Sequence, residues 1–197
     1  MTLYSDMVNK YPENSIGYNN RGTIFLKENK YSEAECDFLN AIKHNSKYAA
    51  PYNKLGLLFN RKTKYDTAIV YFTKAVELNN NYAEAYFNMG LTYFNKNDID
   101  KAIEYYTKAI SIDHGFAVAY NNLGKAYGIK EQNSEAITNF SKAVELDPEY
   151  STAHFNLAIA YFKTGNNAAG LNEMKTAAKL GNSGAIEFCK KNNISLN

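Results

Sequence analysis

Apolar residues recur along the chain at helical spacing, and the whole pattern returns after 34 residues. Within one copy, four residues fall at i, i+3, i+4 and i+7 on a single helical face: Tyr86, Met89, Gly90 and Tyr93. A second amphipathic segment follows after the polar turn 95–98. A fixed period of this length is typical of repeat proteins in which each repeat is one small supersecondary unit, here a pair of helices.

The period divides the chain into five full repeats with a partial repeat at each end. The full repeats occupy 15–184 and follow one another without insertion, beginning at Ser15, Ala49, Ala83, Ala117 and Ser151. Residues 1–14 match a second helix alone, either as a cap or because the sequence is a segment of a longer protein, and 185–197 match a capping helix and tail. We therefore expect an all-α fold in which antiparallel helix pairs stack as an α-solenoid.

A glycine lies inside the first helix of most repeats, although it costs about 1 kcal/mol relative to alanine there. An alanine follows twelve residues later in each of these repeats, after Gly22, Gly56, Gly90 and Gly124. In the fifth repeat the two sizes are exchanged, with Ala158 followed by Gly170. We expect the two small residues to face each other, because a larger side chain would overpack the contact.

The run Tyr-x-x-Leu/Met-Gly-x-x-Tyr, followed by Ala, an aromatic residue and Ala, resembles the tetratricopeptide repeat. The resemblance covers nearly the whole chain, and the related RNA-binding helical repeats fit less well because their period is one residue longer. It implies a right-handed superhelix with a concave groove lined by the first helices. Arg21 departs from the pattern, since the other repeats have Leu or Met there. We expect the first full repeat to pack loosely or to lie near a chain end.

The first helices also carry a stripe of residues that stacking does not require. The sixth residues of the five repeats lie on this stripe and are Asn20, Lys54, Asn88, Asn122 and Asn156. Stacked along a groove, the amides would form a ladder of donors and acceptors that could bind the backbone of an extended peptide. Asparagine is frequent in this chain and common at this place in the family, so a purely structural role is the alternative.

Apolar and basic residues on the same stripe give the expected groove its character. Phe87 and Phe155 predict pockets for ligand side chains, with Leu91 one turn beyond Phe87. Positive charge comes from Lys54, Arg61 and Lys125. This charge favours an acidic peptide ligand, although the full clamp that holds a C-terminal carboxylate in some family members is incomplete here.

Composition excludes several other classes of function. The net charge of +2 is too small to favour nucleic acid as the partner. No stretch approaches the roughly 20 apolar residues that a membrane span requires, and no signal peptide is visible. Cys36 and Cys189 are too many repeats apart to form a disulfide, which favours a reducing compartment. We therefore expect no membrane insertion and a cytoplasmic location.

Catalytic patterns are also missing from the sequence. No phosphate loop, dinucleotide motif or nucleophile elbow is present, and the three histidines fall at different repeat positions. We therefore expect no enzyme activity, no cofactor and no metal site. The sequence favours a non-enzymatic scaffold that binds an extended or helical peptide in the groove. Two alternatives stay open: a substrate-docking segment of a larger enzyme such as an O-linked glycosyltransferase, and a self-assembling homo-oligomer.

Overall fold

The chain is entirely helical in the part that the computed structural model describes, residues 3–196. The helices bury apolar residues on one side, as the helical period of the sequence requires, together with a few polar residues such as Asn53 and Asp37. No helix in this range is both long enough and apolar enough to cross a lipid bilayer. The helices are α1 (Leu3–Lys10), α2 (Ser15–Lys27), α3 (Tyr31–His44), α4 (Ala49–Arg61), α5 (Tyr65–Leu78), α6 (Ala83–Asn95), α7 (Ile99–Ile112), α8 (Ala117–Ile129), α9 (Asn133–Leu146), α10 (Ser151–Lys163), α11 (Asn167–Lys179) and α12 (Ser183–Lys191).

The helices form two compact units, unit 1 ending at Lys96 and unit 2 beginning at Asn97. In unit 1, α2 packs on α3 and α4 on α5, while the first helices α2, α4 and α6 touch in sequence. In unit 2, α8 packs on α9 and α10 on α11, and the first helices α8 and α10 touch. Each unit therefore has a first-helix surface, formed by α2, α4 and α6 in unit 1 and by α8 and α10 in unit 2.

Short turns in the left-handed conformation join the two helices of a pair. Asn29 and Thr63 have φ values of 60° and 56° in unit 1, and Glu131 and Gly165 have 59° and 81° in unit 2. A left-handed residue just beyond a helix ends it and reverses the chain direction. The second helix of each pair consequently runs antiparallel to the first.

The glycines of the first helices make room for an aromatic ring rather than for an alanine. A Cβ atom at Gly56 would lie 2.5 Å from the ring of Phe72, and one at Gly124 would lie 2.7 Å from the ring of Phe140. The expected glycine–alanine contact is therefore corrected to a glycine–ring contact in these repeats, whereas in the fifth repeat a Cβ atom at Gly170 would lie 3.1 Å from the carbonyl oxygen of Ala158, as expected. In the fifth repeat Met174 replaces the ring residue, which explains why Ala158 is tolerated at the glycine position.

Arg21 is firmly held, so the expectation of loose packing is also corrected. Its Nε and Nη2 atoms both donate to the carboxylate of Asp37 at 2.7 Å, and the side chain of Asp37 is only 3% exposed. The hydrogen bonds to Asp37 raise the pKa of Arg21 above its ordinary value. The polar residue at the leucine position is thus balanced by an acidic residue on the partner helix.

The last helix begins two residues earlier than the period predicts, at Ser183 rather than at 185. The reason lies in the preceding turn, where Gly181 has a φ of 85° and ends α11 sharply. Earlier second helices end at residues in an extended conformation, such as Asp147. Beyond this turn, the ring of Phe188 packs 5.6 Å from that of Phe162 and covers the apolar cluster at this end of unit 2.

Candidate binding surface

Asparagine side chains connect successive first helices inside each unit. The Nδ2 atom of Asn88 donates to Oδ1 of Asn53 at 3.0 Å in unit 1, and Asn156 donates in the same way to Asn121 at 2.8 Å in unit 2. In both cases the sixth residue of a repeat bonds the fifth residue of the repeat before it. Asn88 and Asn156, which the sequence predicts as ladder residues, thus have an amide donor engaged within the protein.

The fifth-position asparagines bond a tyrosine as well. Each donates to the hydroxyl of the tyrosine 29 residues later, in the pairs Asn19–Tyr48, Asn53–Tyr82 and Asn121–Tyr150. Burial raises the pKa of all three tyrosines. The sequence analysis did not include these asparagines in the site, because it placed the amide ladder at the sixth position and used the fifth position only for Phe87 and Phe155. Their signal was the recurrence of Asn at the fifth position with Tyr just before the next repeat.

We call the contact between two successive first helices a junction. The junction of α2 with α4 lacks the asparagine–asparagine bond that joins α4 to α6. Lys54 occupies the donor position there, and its Nζ atom instead lies 3.0 Å from Oε1 of Glu84. Oδ1 of Asn19 is buried, and no group of the described chain donates to it. Asn20, the first residue of the predicted ladder, accepts from Nδ2 of Asn19 at 3.3 Å.

Three further predicted site residues lie on the first helices. Asn122 donates to the carbonyl of Val118 in its own helix at 2.8 Å. Arg61 donates to the carbonyl of Leu26 at 3.0 Å and so ties α4 to the end of α2. Lys125 is exposed on α8.

The predicted apolar residues are only half-exposed. Phe87 and Leu91 are partly buried on α6. Phe155 packs against the terminal apolar cluster of unit 2, and a Cβ atom at Gly184 of α12 would lie 3.1 Å from its ring. Part of the Phe155 ring therefore serves packing within unit 2, and a ligand pocket at Phe87 or Phe155 stays a prediction.

Among the first helices, unit 2 carries more exposed aliphatic side chains than unit 1, while Leu39 and Val70 are exposed on second helices. Val118, Ile129 and Ile159 are 40%, 54% and 38% exposed. The helices α8 and α10 also carry Lys125 and Lys163, and neither helix contains an aspartate or a glutamate. This surface is therefore apolar and positive, a combination that can bind aliphatic and carboxylate groups together.

Grooves between the two helices of a pair are a separate feature. One of about 470 Å³ lies beside Tyr52 and Val70, and a similar groove of about 470 Å³ lies beside Tyr120 and Thr138. Their recurrence at equivalent repeat positions indicates that helix packing produces them. Within the described range, no cluster of three His, Cys, Asp or Glu residues is placed to hold a metal ion.

Comparison with known proteins identifies the repeat. The family described as "Tetratricopeptide repeat" matches residues 83–116, and that described as "TPR repeat" matches residues 61–97 and 129–165. No curated protein sequence matches the chain significantly.

Solved structures share the fold at low sequence identity. YrrB, described as "a TPR protein with an unusual peptide-binding site", aligns with a TM-score of 0.72 and 19% identity over 96% of this chain and 98% of that chain. PilF of Pseudomonas aeruginosa gives 0.82 and 16% over 91% and 85%. MamA of Desulfovibrio magneticus gives 0.73 and 22% over 86% and 96%. These similarities show that the chain has the α-solenoid fold of such proteins.

Proposed function

Because the chain contains tetratricopeptide repeats, we propose that it is a non-enzymatic protein-interaction scaffold that binds peptide segments on its first-helix surfaces. The observation that carries this proposal is that a single helix has both buried residues that stack and exposed aliphatic residues that do not. On α8, Ala119, Leu123 and Ala126 are buried and serve stacking, whereas Val118 and Ile129 remain exposed. Exposed aliphatic residues that packing does not need mark an interaction surface.

The polar residues of the same surfaces would contact the backbone of the bound segment. Asn122 is suited to this role. Its side-chain amide donates to the carbonyl of Val118, which already accepts a hydrogen bond within the helix, so the amide can turn toward a ligand without leaving that carbonyl unbonded. Asn88 and Asn156 are less available, since their donors hold the repeat junctions. The peptide-binding site described for YrrB supports the proposal by similarity of fold.

Selection of displayed random peptides on the intact chain tests this function. Recovered peptides should bind Asn122→Ala about 2- to 10-fold more weakly, the effect of one hydrogen bond. Asn139→Ala is the matched control, because Asn139 makes the same bond to the carbonyl four residues earlier on a second helix. The control should bind like the parent chain. Failure to recover any binding peptide would refute the proposed function, and equal losses in the two variants would show that Asn122 is not one of the binding residues.

A further inference from the structure

Three exposed aliphatic residues share one surface of unit 2. Val118 and Ile129 lie eleven residues apart on one face of α8, which separates them by about 16 Å along the helix. Ile159 lies on the neighbouring α10, one turn beyond Asn156, whose bond to Asn121 holds the two helices together at 2.8 Å. A segment laid across these helices can therefore contact all three aliphatic side chains at once.

Charge on this surface is of one sign. Lys125 lies on α8 between Val118 and Ile129, and Lys163 lies one turn beyond Ile159 on α10. The sequences of the two helices contain no acidic residue. Carboxylates on a partner would therefore meet complementary charge beside the apolar contacts.

The corresponding surface of unit 1 differs in both respects. Ile16 is the exposed large aliphatic residue of its first helices in the described chain. Two of its cations are committed internally, Lys54 to Glu84 and Arg61 to the carbonyl of Leu26. A partner that approached unit 1 would have to break these contacts and would gain less apolar burial.

We infer that the unit 2 first-helix surface is the docking site for a partner segment in which aliphatic side chains alternate with carboxylates. This inference rests on the proposed function and names the chemistry of its partner. The aliphatic groups would cover Val118, Ile129 and Ile159, and the carboxylates would pair with Lys125 and Lys163. Unit 1 contributes stability to the array and little to this contact.

A set of three synthetic peptides of equal length tests the inference on the intact chain by fluorescence anisotropy. The first carries leucines and glutamates interleaved on one face, because the aliphatic residues and the lysines that they would contact share one surface of the protein. The second replaces the leucines by glutamine, and the third replaces the glutamates by lysine. The first peptide should bind at least about tenfold more tightly than either of the others.

Matched substitutions locate the contact. Ile129→Ser combined with Ile159→Ser should weaken binding of the leucine–glutamate peptide about tenfold. Ile16→Ser, the control, removes an equally exposed aliphatic residue from unit 1 and should leave binding unchanged. Lys163→Gln should weaken binding and its salt dependence, whereas Lys27→Gln, at the same repeat position in unit 1, should not. All five positions are exposed, and circular dichroism will verify that the variants fold.

The inference is overturned if the three peptides bind alike, if none binds, or if only the unit 1 substitutions weaken binding. Its failure is distinguishable from that of the proposed function. If displayed peptides bind the chain but tolerate the Ile129→Ser and Ile159→Ser changes, the scaffold function stands and this docking site is wrong.

Discussion

The two units are built from the same repeat, but several equivalent positions carry different side chains in unit 1 and in unit 2. In unit 1, Asn53 accepts from Asn88 and donates to Tyr82 and Glu84, so that one buried amide joins three neighbours. In unit 2, the equivalent Asn121 has two such partners, and the surface around it exposes aliphatic side chains instead. The junction at Asn53 in unit 1 is therefore held by more side-chain hydrogen bonds than the junction at Asn121 in unit 2.

This difference shows how a repeat protein can separate stability from recognition. The alanine, leucine and aromatic residues are sufficient for the stacking of the repeats. The remaining first-helix positions can therefore either stabilise the contacts between repeats or bind a partner. An amide or cation that is bonded inside the protein must give up that bond before it can bind a partner. Residues committed to the junctions of unit 1 are therefore weaker binding groups than the exposed residues of unit 2.

Arg21→Leu should produce the largest change, because it places in unit 1 the residue that unit 2 uses at Leu123 and Leu157. Asp37 would then be left buried without its partner, at an expected loss of about 3 kcal/mol of unfolding free energy. Urea denaturation followed by circular dichroism measures the loss.

The control for this change restores a matched pair. Arg21→Leu together with Asp37→Tyr introduces the two residues that the second repeat has, Leu55 and Tyr71, and should recover most of the lost stability. If the single variant were as stable as the parent, the ion pair would not stabilise the first repeat, and the contrast between the units would weaken.

Removal of the fifth-position asparagines should have the next largest effect. Asn53→Ala leaves the donor of Asn88 and the hydroxyl of Tyr82 without their bonds in a buried site, and should cost about 2 kcal/mol. Asn121→Ala should cost about 1 kcal/mol, because Asn156 is partly exposed and can bond water. Equal losses in urea denaturation would show that the two amide junctions are equivalent.

Much of the fold follows from the sequence, because stacking imposes the same small and apolar residues on every copy. The all-α architecture and its helix pairs are predicted correctly for this reason. The partners of Asn88 and Arg21 are not, because each bond joins two helices and depends on their relative rotation, which the period does not encode. The early start of α12 was missed because Gly181 replaces the extended turn used in earlier repeats.

The candidate surface itself stays a prediction. Its placement on the first helices came from the positions left over after stacking, which the sequence can identify. The exposure of Ile129 and the engagement of Asn156 depend on how neighbouring helices cover one another. Sequence reasoning therefore favoured the asparagines and phenylalanines over the aliphatic residues that the structure exposes.

A smaller and opposite effect is expected from Lys54→Asn, which supplies the amide donor that the first junction lacks. Oδ1 of Asn19 would gain a hydrogen bond, while the lost Lys54–Glu84 contact is partly exposed and worth little. We expect a gain of about 0.5–1 kcal/mol. Lys54→Ala is the control, since it removes the ion pair without adding a donor. If the asparagine variant were no more stable than the alanine variant, the unpaired oxygen of Asn19 would not limit this junction.

The smallest effect should appear at alkaline pH, through the tyrosines that bond the fifth-position asparagines. Burial raises the pKa of Tyr82 above its ordinary value of 10.0, and the nearby carboxylate of Glu84 raises it further. Burial also raises the pKa of Tyr150, and the carboxylate of Asp147 raises it further, while for both tyrosines the bond from the asparagine acts in the opposite direction. Because these pKa values are higher in the folded chain, the stabilisation is complete below about pH 10 and is lost as the pH rises through them.

Urea denaturation at several values between about pH 9 and about pH 11 should therefore show a decline that Tyr82→Phe makes shallower. Tyr150→Phe should also flatten it, because burial and the nearby carboxylate of Asp147 raise the pKa of Tyr150, as burial and Glu84 raise that of Tyr82. Tyr11→Phe, at an exposed position, serves as the control and should leave the slope of the parent chain. A decline that neither the Tyr82 nor the Tyr150 variant makes shallower would mean that the amide–tyrosine junctions do not set the response of stability to alkaline pH.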